Sequence, residues 1–292
     1  MAHDEISDLI GKGVHDRSAV VEMTPAAELR SARWSGVSAA YRGSFAGLCV
    51  GTVDRILDDL GVGHGRTLVD VGCGTGTLTF RAAHRGWTVV ALDSDTDMVT
   101  STAAAAGGLP ITTAQAALPA LGLTDGYADS AVANFVINHV PDPRAAMVEM
   151  ARVVRPGGRL AVTIWTNKRS ALAEVFSESL QAAGAVIVPG HRLPADKDFE
   201  RTAAGLSEVA RGAGLEPQIQ DEIHWDWIVP WNDLWRGIAG GVASIGETYL
   251  AQPLEVRARI EAEMHTRALR LERNGSLVIP STAAYVVARK PA

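Results

Sequence analysis

Cysteine is scarce in this sequence: the 292 residues include only two, Cys49 and Cys73. Two thiols at this separation match no metal-ligand spacing, and they cannot build the disulfide framework of a small secreted protein. The first residues carry acids ahead of any apolar run and show no small-residue cleavage site, so no secretory signal is predicted. We therefore expect free thiols, no metal site and a cytoplasmic location.

Long apolar runs and clusters of basic residues are missing as well. No stretch approaches the roughly 18 continuous apolar residues that a membrane-spanning helix needs. The formal net charge is −6, and no run of five lysines or arginines occurs. These features argue against a membrane or a nucleic acid as partner. A small-molecule substrate is the remaining expectation, and the sequence gives no indication of the oligomeric state.

What the sequence does contain is an alternation of short apolar runs and helical patterns, which is typical of βαβ units on a parallel sheet. Strands are predicted at 67–71, 88–93, 109–115, 130–137 and from 158 onward, and then at 219–229 and 283–290. Helices are predicted between them, with Asp95 and Asp142 as N-caps. About fifty residues of helical pattern separate the last two strands, more than a hairpin needs, and they predict a cap over the sheet.

This pattern predicts four parts of the chain. They are an N-terminal helical lid at 1–60, a Rossmann-like core at 61–230, a helical cap insertion at 231–275, and the final strand of the core within 276–292. In the lid, Trp34 and Tyr41 are seven residues apart and therefore share a helical face.

The segment VDVGCGTGTL (69–78) places three glycines at alternate positions where the first strand turns into a helix. Glycines at 72, 74 and 76 allow a ligand to approach backbone N–H groups at the helix N-terminus. The dinucleotide fingerprint requires a glycine at its sixth position, where this chain has Thr77. A P-loop is also excluded, because no Gly-Lys-Ser/Thr follows. The glycines alone therefore indicate only a nucleotide-like ligand.

Two acids near this turn narrow the choice of ligand. Asp70 lies two residues before Gly72, and at an effective dielectric constant of 20 it would repel a phosphate 5 Å away by about 3 kcal/mol. Asp93 ends the second strand, where a carboxylate can accept both hydroxyls of a ribose. A cationic nucleoside such as S-adenosylmethionine (SAM) fits this pair. The alternatives are a helix cap for Asp93 and a buried backbone-capping role for Asp70.

Four motifs together carry a family resemblance: VDVGCGTGTL, ALDSDTDM (91–98), SAVANFVINHVPDP (130–143) and RVVRPGGRLAVTIW (152–165). The sequence resembles the class I SAM-dependent methyltransferases, in particular the small-molecule branch (methyltransferase type 11) that includes the ubiquinone and menaquinone C-methyltransferases. The resemblance implies an α/β fold with a Rossmann-like seven-stranded sheet in the order 3-2-1-4-5-7-6, in which strand seven is antiparallel.

The resemblance also implies a set of cofactor contacts. SAM, and its product S-adenosylhomocysteine, would be held by Asp70, Gly72, Gly74, Thr75 and Gly76 at the methionyl end, Asp93 at the ribose, Ser94 and Met98 at the adenine, and Asn134 at the end of strand four. One position departs from the family. An acid usually follows strand three to hold the adenine amino group, whereas this chain has Ala114, so Gln115 and Ala116 are the substitutes expected.

Acceptor contacts are predicted in the segments that cover the strand ends. Four of the seven tryptophans fall within 225–235, and Trp225, Trp227, Trp231 and Trp235 could form either a hydrophobic seam or an aromatic wall for a planar substrate. His224 with Asp226 could act as a base and its partner, or could face solvent on an edge strand. His139 and the lid aromatic Tyr41 match residues of the family, and His191 is a further candidate.

The predicted function is methyl transfer to a small, aromatic or multi-ring metabolite by in-line displacement, at carbon, nitrogen or oxygen. Composition and the segment WNDLWRGI resemble actinobacterial natural-product methyltransferases, a group that includes indole and diketopiperazine C-methyltransferases. Two alternatives stay open at this point: a nicotinamide-dependent oxidoreductase, and a SAM-binding partner protein without catalysis. The first lacks its sixth-position glycine and a Tyr-x-x-x-Lys motif.

Overall fold

The computed structural model describes residues 34–187 and 193–292. His191 and the first 33 residues of the predicted lid therefore lie outside the described residues. The strands are β1 Thr67–Val71, β2 Thr88–Asp93, β3 Ile111–Gln115, β4 Ala128–Asn134, β5 Val154–Trp165, β6 Glu216–Val229, β7 Glu272–Arg273 and β8 Ser276–Arg289. The first four helices are α1 Ser38–Arg42, α2 Ala46–Cys49, α3 Val53–Leu60 and α4 Thr77–His84. The others are α5 Thr96–Ala105, α6 Pro143–Val153, α7 Ala171–Ala182, α8 Ala203–Gly212, α9 Trp231–Ala239, α10 Ala243–Leu250 and α11 Leu254–Ala268.

One mixed sheet organises these elements in the order β3-β2-β1-β4-β5-β8-β6, with β7 paired to β8. The strands β3, β2, β1, β4 and β5 are parallel, and β8 runs antiparallel to both β5 and β6. This confirms the predicted order, with β8 in the place of the predicted seventh strand. The short β7 makes the sheet eight-stranded rather than seven-stranded.

Local signals account for the parallel half of the sheet. β1, β2 and β4 are buried on both faces, as strands covered by helices on two sides must be. The predicted caps are confirmed: Asp95 Oδ1 accepts from the backbone N–H of Met98 at 3.0 Å, and Asp142 Oδ1 accepts from that of Ala145 at 3.0 Å. These caps fix where α5 and α6 begin, directly beside the carboxyl ends of β2 and β4.

Several strand boundaries differ from the prediction; β3 begins at Ile111, β4 at Ala128 and β6 at Glu216, each two or three residues from the predicted start. β4 ends at Asn134 rather than at residue 137, because Phe135 takes a left-handed backbone with φ 61° and cannot continue a strand. β5 begins at Val154, four residues earlier than predicted. β8 begins at Ser276 rather than at 283, since it pairs with β6 from Leu277 to Arg289.

The extra length of β8 shapes the region around the cavity. β5 ends opposite Ala283, whereas β6 and β8 stay paired beyond it, from Ile223↔Ala283 to Val229↔Leu277. The two strands thus continue past the carboxyl edge of the sheet as a ribbon. The helices α9, α10 and α11 of the cap connect β6 to β7, and none of the helices in residues 34–187 and 193–292 is long and apolar enough to cross a membrane.

Candidate active site

The glycine turn between β1 and α4 lies against one wall of a large cavity. Gly72, Gly74 and Gly76 have φ values of 71°, 56° and 89°, in the region that glycine adopts at little cost. A Cβ atom at Gly76 would lie 2.5 Å from the Phe80 ring, and one at Gly74 would lie 3.3 Å from the Tyr41 ring. Backbone conformation and close packing therefore both require glycine here.

The N–H groups of this turn are largely used within the protein. Those of Gly72 and Cys73 donate to the Leu92 carbonyl at 2.7 and 2.9 Å, and that of Gly74 donates to Asp93 Oδ2 at 2.8 Å. The N–H groups of Gly72, Cys73 and Gly74 are therefore not free to bind a phosphate. The glycine pattern predicts a ligand close to these N–H groups, and the paired donors agree with the predicted ligand without phosphates.

Asp93 lies in the cavity wall at the end of β2. Its Oδ1 accepts from the backbone N–H of Asp95 at 3.0 Å, while Oδ2 accepts from Gly74. Burial raises the pKa of Asp93, and these backbone N–H donors lower it in part. The carboxylate thus joins the turn to the start of α5 and leaves lone pairs that can accept from hydroxyls of a ligand.

Asp70 is placed differently from the prediction. Its carboxyl group is only 1% exposed, accepts from Thr79 Oγ1 at 2.6 Å, and is not among the described residues that line the cavity. Burial raises the pKa of Asp70 to about 7, the Thr79 hydroxyl lowers it, and the nearby Asp93 charge raises it further. Asp70 is therefore buried and bonded to α4, and it is not in position to contact a ligand from the described cavity lining.

The raised pKa of Asp70 gives a testable pH dependence. The folded-state pKa lies above the unfolded value near 3.9, so the folded chain binds more protons between about pH 4 and 7. The free energy of unfolding should accordingly fall as the pH rises through that window and level off above it. Asp70→Asn keeps the shape and removes the titration. Urea unfolding of both proteins at several pH values should show the steeper fall in the wild type, and parallel profiles would contradict this assignment.

The remaining predicted cofactor residues divide into two groups. Gly72, Gly74, Ser94, Met98, Ala116 and Asn134 line the cavity together with Asp93, whereas Thr75, Gly76 and Gln115 do not belong to its described lining. Gln115 donates instead to the Ser94 carbonyl at 3.0 Å, at the surface. The adenine contact expected from Gln115 is thus not supported, while Ala116 remains in position.

Asn134 is engaged by the protein itself. Its Oδ1 accepts from Thr163 Oγ1 at 2.6 Å and from Thr52 Oγ1 at 2.8 Å, and its Nδ2 donates to the Cys49 carbonyl at 3.2 Å. These bonds connect the end of β4 with β5 and with the segment after α2. Asn134 therefore fastens the lid segment to the sheet, in addition to lining the cavity.

Aromatic side chains of the segment before β1 lie close to the turn. Trp34 contacts Tyr41 edge-on with ring centroids 5.7 Å apart, and it contacts His139 in the same way at 5.5 Å. All three residues line the cavity. Burial raises the pKa of Tyr41 well above its usual value, so its hydroxyl stays protonated at neutral pH and cannot act there as a general base.

The four tryptophans of 225–235 do not act as one wall. Trp227 lines the cavity and packs on Phe45 with centroids 5.4 Å apart. Trp225 is outside the described lining and donates from Nε1 to the Leu48 carbonyl at 3.1 Å. Trp231 and Trp235 also lie outside that lining and stack on each other at 5.4 Å. The hydrophobic-seam interpretation therefore holds for three of the four.

His224 does not reach the described cavity lining either. Its side chain is 64% exposed and contacts Thr282 and Glu222, and the structure gives it no bond to its predicted partner Asp226. The edge-strand interpretation accounts for this, because β6 is the outer strand of the sheet. A direct role for His224 as a base on the acceptor is not supported.

Several residues of the cavity were not predicted from the sequence. Trp165 stacks on Phe135 with centroids 3.9 Å apart, and both line the cavity. Leu172, Phe176 and Leu180 of α7 and Ile279 of β8 contribute apolar side chains to the same cavity. The sequence did contain a signal that could have identified the α7 residues. Their apolar side chains recur at helical spacing directly after β5, and ligands bind at the carboxyl ends of parallel strands.

The cavity is large enough for two ligands. Its volume is about 1420 Å³, and it extends from Gly72 and Asp93 to α7, α10 and the ribbon. Pockets for one small molecule occupy roughly 300–1,000 Å³. Two non-glycine residues with left-handed backbones, Phe135 at φ 61° and Ala243 at φ 57°, also line it, and such strain is concentrated at functional sites. Within the described residues, no group of three or more His, Cys, Asp or Glu side chains could hold a metal.

The residues present fit SAM at the end of the cavity near the turn. The three glycines of the turn have close neighbours where a Cβ atom would lie, and the N–H groups of Gly72, Cys73 and Gly74 are already paired. Asp93 supplies a carboxylate at the wall, and Ser94, Met98 and Ala116 continue that wall beyond it. Such a surface accepts hydroxyls and tolerates a positive charge.

Comparison with known proteins agrees with this geometry. Residues 69–162 match the family described as a methyltransferase domain. An uncharacterized methyltransferase of Mycobacterium sp. (strain JLS) is 39% identical over 35% of this chain and 40% of its own length. The demethylmenaquinone methyltransferase of Renibacterium salmoninarum is 26% identical over 69% of this chain and 82% of its own length.

The fold is shared with solved structures. A putative methyltransferase from Bacillus halodurans has a TM-score of 0.53 at 17% identity, over 82% of this chain and 99% of that one. The chain spans less than half the length of the mycobacterial relative, so the match concerns the core from β1 to β5. Residues 69–162 thus match a methyltransferase domain, and the sheet order and the glycine turn of the described residues agree with that match.

Proposed function

We propose that this protein transfers the methyl group of SAM to a small, apolar acceptor with an aromatic or multi-ring body. The observation that carries the proposal is the continuity of one cavity, of about 1420 Å³, between the glycine turn and an apolar compartment. A cofactor at the turn and an acceptor in the compartment would face each other inside the same walls. Natural-product metabolites, including indole and diketopiperazine scaffolds, are acceptors of this shape.

The compartment supports an apolar acceptor by its composition. Phe45, Leu172, Phe176, Trp227 and Ile279 contribute aromatic and aliphatic surface. At about 25 cal/mol for each Å² of apolar area removed from water, a ring system of modest size gains several kcal/mol here. All five residues lie outside the matched segment 69–162, so α7, β6, β8 and the segment before β1 contribute to the choice of acceptor in addition to the matched core.

Positioning and exclusion of water are the main tasks of the chain's own residues. SAM, when bound, supplies an electrophilic methyl group on a sulfonium. Tyr41 and Trp34 cover the turn, His139 lies beside them, and the apolar compartment holds the acceptor in line with the turn. Asp93 orients the ribose end by accepting hydrogen bonds.

The proposal is tested with methyl-labelled SAM. The full chain is incubated with labelled SAM and a panel of indoles, diketopiperazines, phenols and quinols, and labelled products are separated by mass. We expect transfer to at least one ring-containing acceptor and calorimetric binding of SAM. Binding of NADH instead of SAM would favour the oxidoreductase, and SAM binding without transfer to any acceptor would favour a non-catalytic partner protein.

A further inference from the structure

A line of polar side chains connects the wall of the cavity to solvent. Thr282 lines the cavity, and its Oγ1 lies 3.0 Å from Nδ1 of His224. Nε2 of His224 lies 3.6 Å from Glu222 Oε2, and the ammonium of Lys168 donates to that same oxygen at 2.6 Å. Lys168 also lines the cavity. The line therefore begins at the cavity wall and passes through a histidine that is 64% exposed.

The strand register explains why these groups meet. His224 and Thr282 are directly opposite on the antiparallel strands β6 and β8, and Glu222 is two residues away on the same face. Asp226 shares that face, and Lys168 reaches Glu222 from the loop after β5. β8 adds no titratable group at this register, where its residues are Pro280, Thr282 and Ala284.

We propose that Thr282 and His224 form a proton relay that serves an acceptor with an O–H or N–H group. The inference rests on the proposed methyl transfer and narrows it to acceptors that lose a proton from oxygen or nitrogen. Thr282 would contact the acceptor, and His224 acts through Thr282 as a positioning residue. The relay uses the His224 tautomer with its proton on Nε2, the nitrogen that faces Glu222, so that the lone pair of Nδ1 accepts from the threonine hydroxyl.

The proposed proton transfer is balanced without any further reactant. As the acceptor atom forms its bond to the methyl carbon, its bond to hydrogen breaks and the electron pair of that bond stays on the acceptor atom. The released proton passes to Thr282 Oγ1, and the hydroxyl proton of Thr282 passes to Nδ1. Glu222 stabilises the resulting imidazolium, which then releases one proton to water because the side chain is exposed.

The relay is tested with 4-nitrophenol, a small ring-bearing phenol whose ionised form is distinguished by its visible absorbance. The full chain is saturated with the probe and its absorbance is followed across neutral pH. We expect the apparent pKa of the bound phenol to fall by about one unit relative to the free phenol. Thr282→Ser, which keeps the hydroxyl, should retain this shift. Thr282→Val, which keeps the shape and loses the hydroxyl, should abolish it, and so should His224→Gln.

Two results would overturn the relay: no bound probe, or the same shift in the wild type and in Thr282→Val. Calorimetry of SAM binding on the same preparations checks the fold of each variant, since neither residue contacts the glycine turn. It also separates the two proposals. A failed relay leaves SAM affinity unchanged in all four proteins, whereas a failed methyltransferase assignment appears as absent SAM binding in the wild type.

Discussion

Asp93→Ala should weaken SAM binding by roughly 100-fold. The carboxylate is the acidic group at the wall beside the glycine turn, and it already holds the N–H of Gly74 at 2.8 Å. Hydrogen bonds to a charged group contribute about 1.5–3 kcal/mol each. Loss of two ribose hydroxyl bonds therefore amounts to about 3 kcal/mol, and every 1.4 kcal/mol is tenfold in affinity. Isothermal titration calorimetry measures this directly.

Two further variants separate charge from contact. Asp97→Ala removes an exposed acid from the first turn of α5, the helix that follows Asp93, and should leave SAM affinity unchanged. Asp93→Asn keeps the shape and one accepting oxygen, so we expect an intermediate loss of about tenfold. If Asp93→Ala binds SAM as tightly as the wild type, the ribose does not lie at Asp93 and the orientation of the cofactor proposed above is wrong.

The core of the fold could be predicted from the sequence because its signals are local. The strand β1, the turn and the caps Asp95 and Asp142 each depend on residues within a few positions of one another. The end of β4 could not be predicted, because the left-handed backbone of Phe135 accompanies its stacking on Trp165, thirty residues away in the sequence. The length of β8 likewise depends on pairing with β6.

The cofactor end of the site was predictable because its residues follow the ends of these strands. Asp93, Ser94, Met98 and Ala116 follow strand ends, and the structure puts all four in the cavity wall. Trp231 and Trp235 have helical spacing, but spacing cannot tell which neighbour the shared face meets. Trp231 contacts His265 of α11, and Trp235 contacts Tyr249 of α10, so this face stabilises the cap itself.

For His224, the sequence likewise could not identify the residue that the side chain contacts. Alternation along β6 correctly put it on the face opposite Trp225 and Trp227, but the sequence offered Asp226 as its partner. The partner that the register supplies is Thr282, which lies opposite it on β8 and lines the cavity. A partner fifty-eight residues away in the sequence is visible only once the pairing of the two strands is known.

Gly76→Ala should destabilise the fold by about 3 kcal/mol, and Gly107→Ala, its matched control, by about 1 kcal/mol. Both glycines have left-handed backbones, with φ 89° and 56°, and a side chain in that conformation costs about 1–2 kcal/mol. The surroundings differ. A Cβ atom at Gly107 meets nothing within 4 Å, whereas at Gly76 it would lie 2.5 Å from the Phe80 ring and 3.1 Å from Thr102, and overpacking adds about 1–3 kcal/mol. Urea unfolding of both variants measures the difference.

The same substitution should also reduce SAM affinity, because the crowded atoms support the binding wall. Thr102 Oγ1 donates to the Gly74 carbonyl at 2.9 Å, and the Gly74 N–H is held by Asp93 at 2.8 Å. If Thr102 is displaced, Gly74 shifts with it, and the hydrogen bond from Gly74 to Asp93 is disturbed. Gly107→Ala leaves these hydrogen bonds intact. The contrary result is that the two variants are equally destabilised and bind SAM like the wild type. That result would show that the Phe80 ring moves aside at no cost and that its packing does not determine the conformation of the glycine turn.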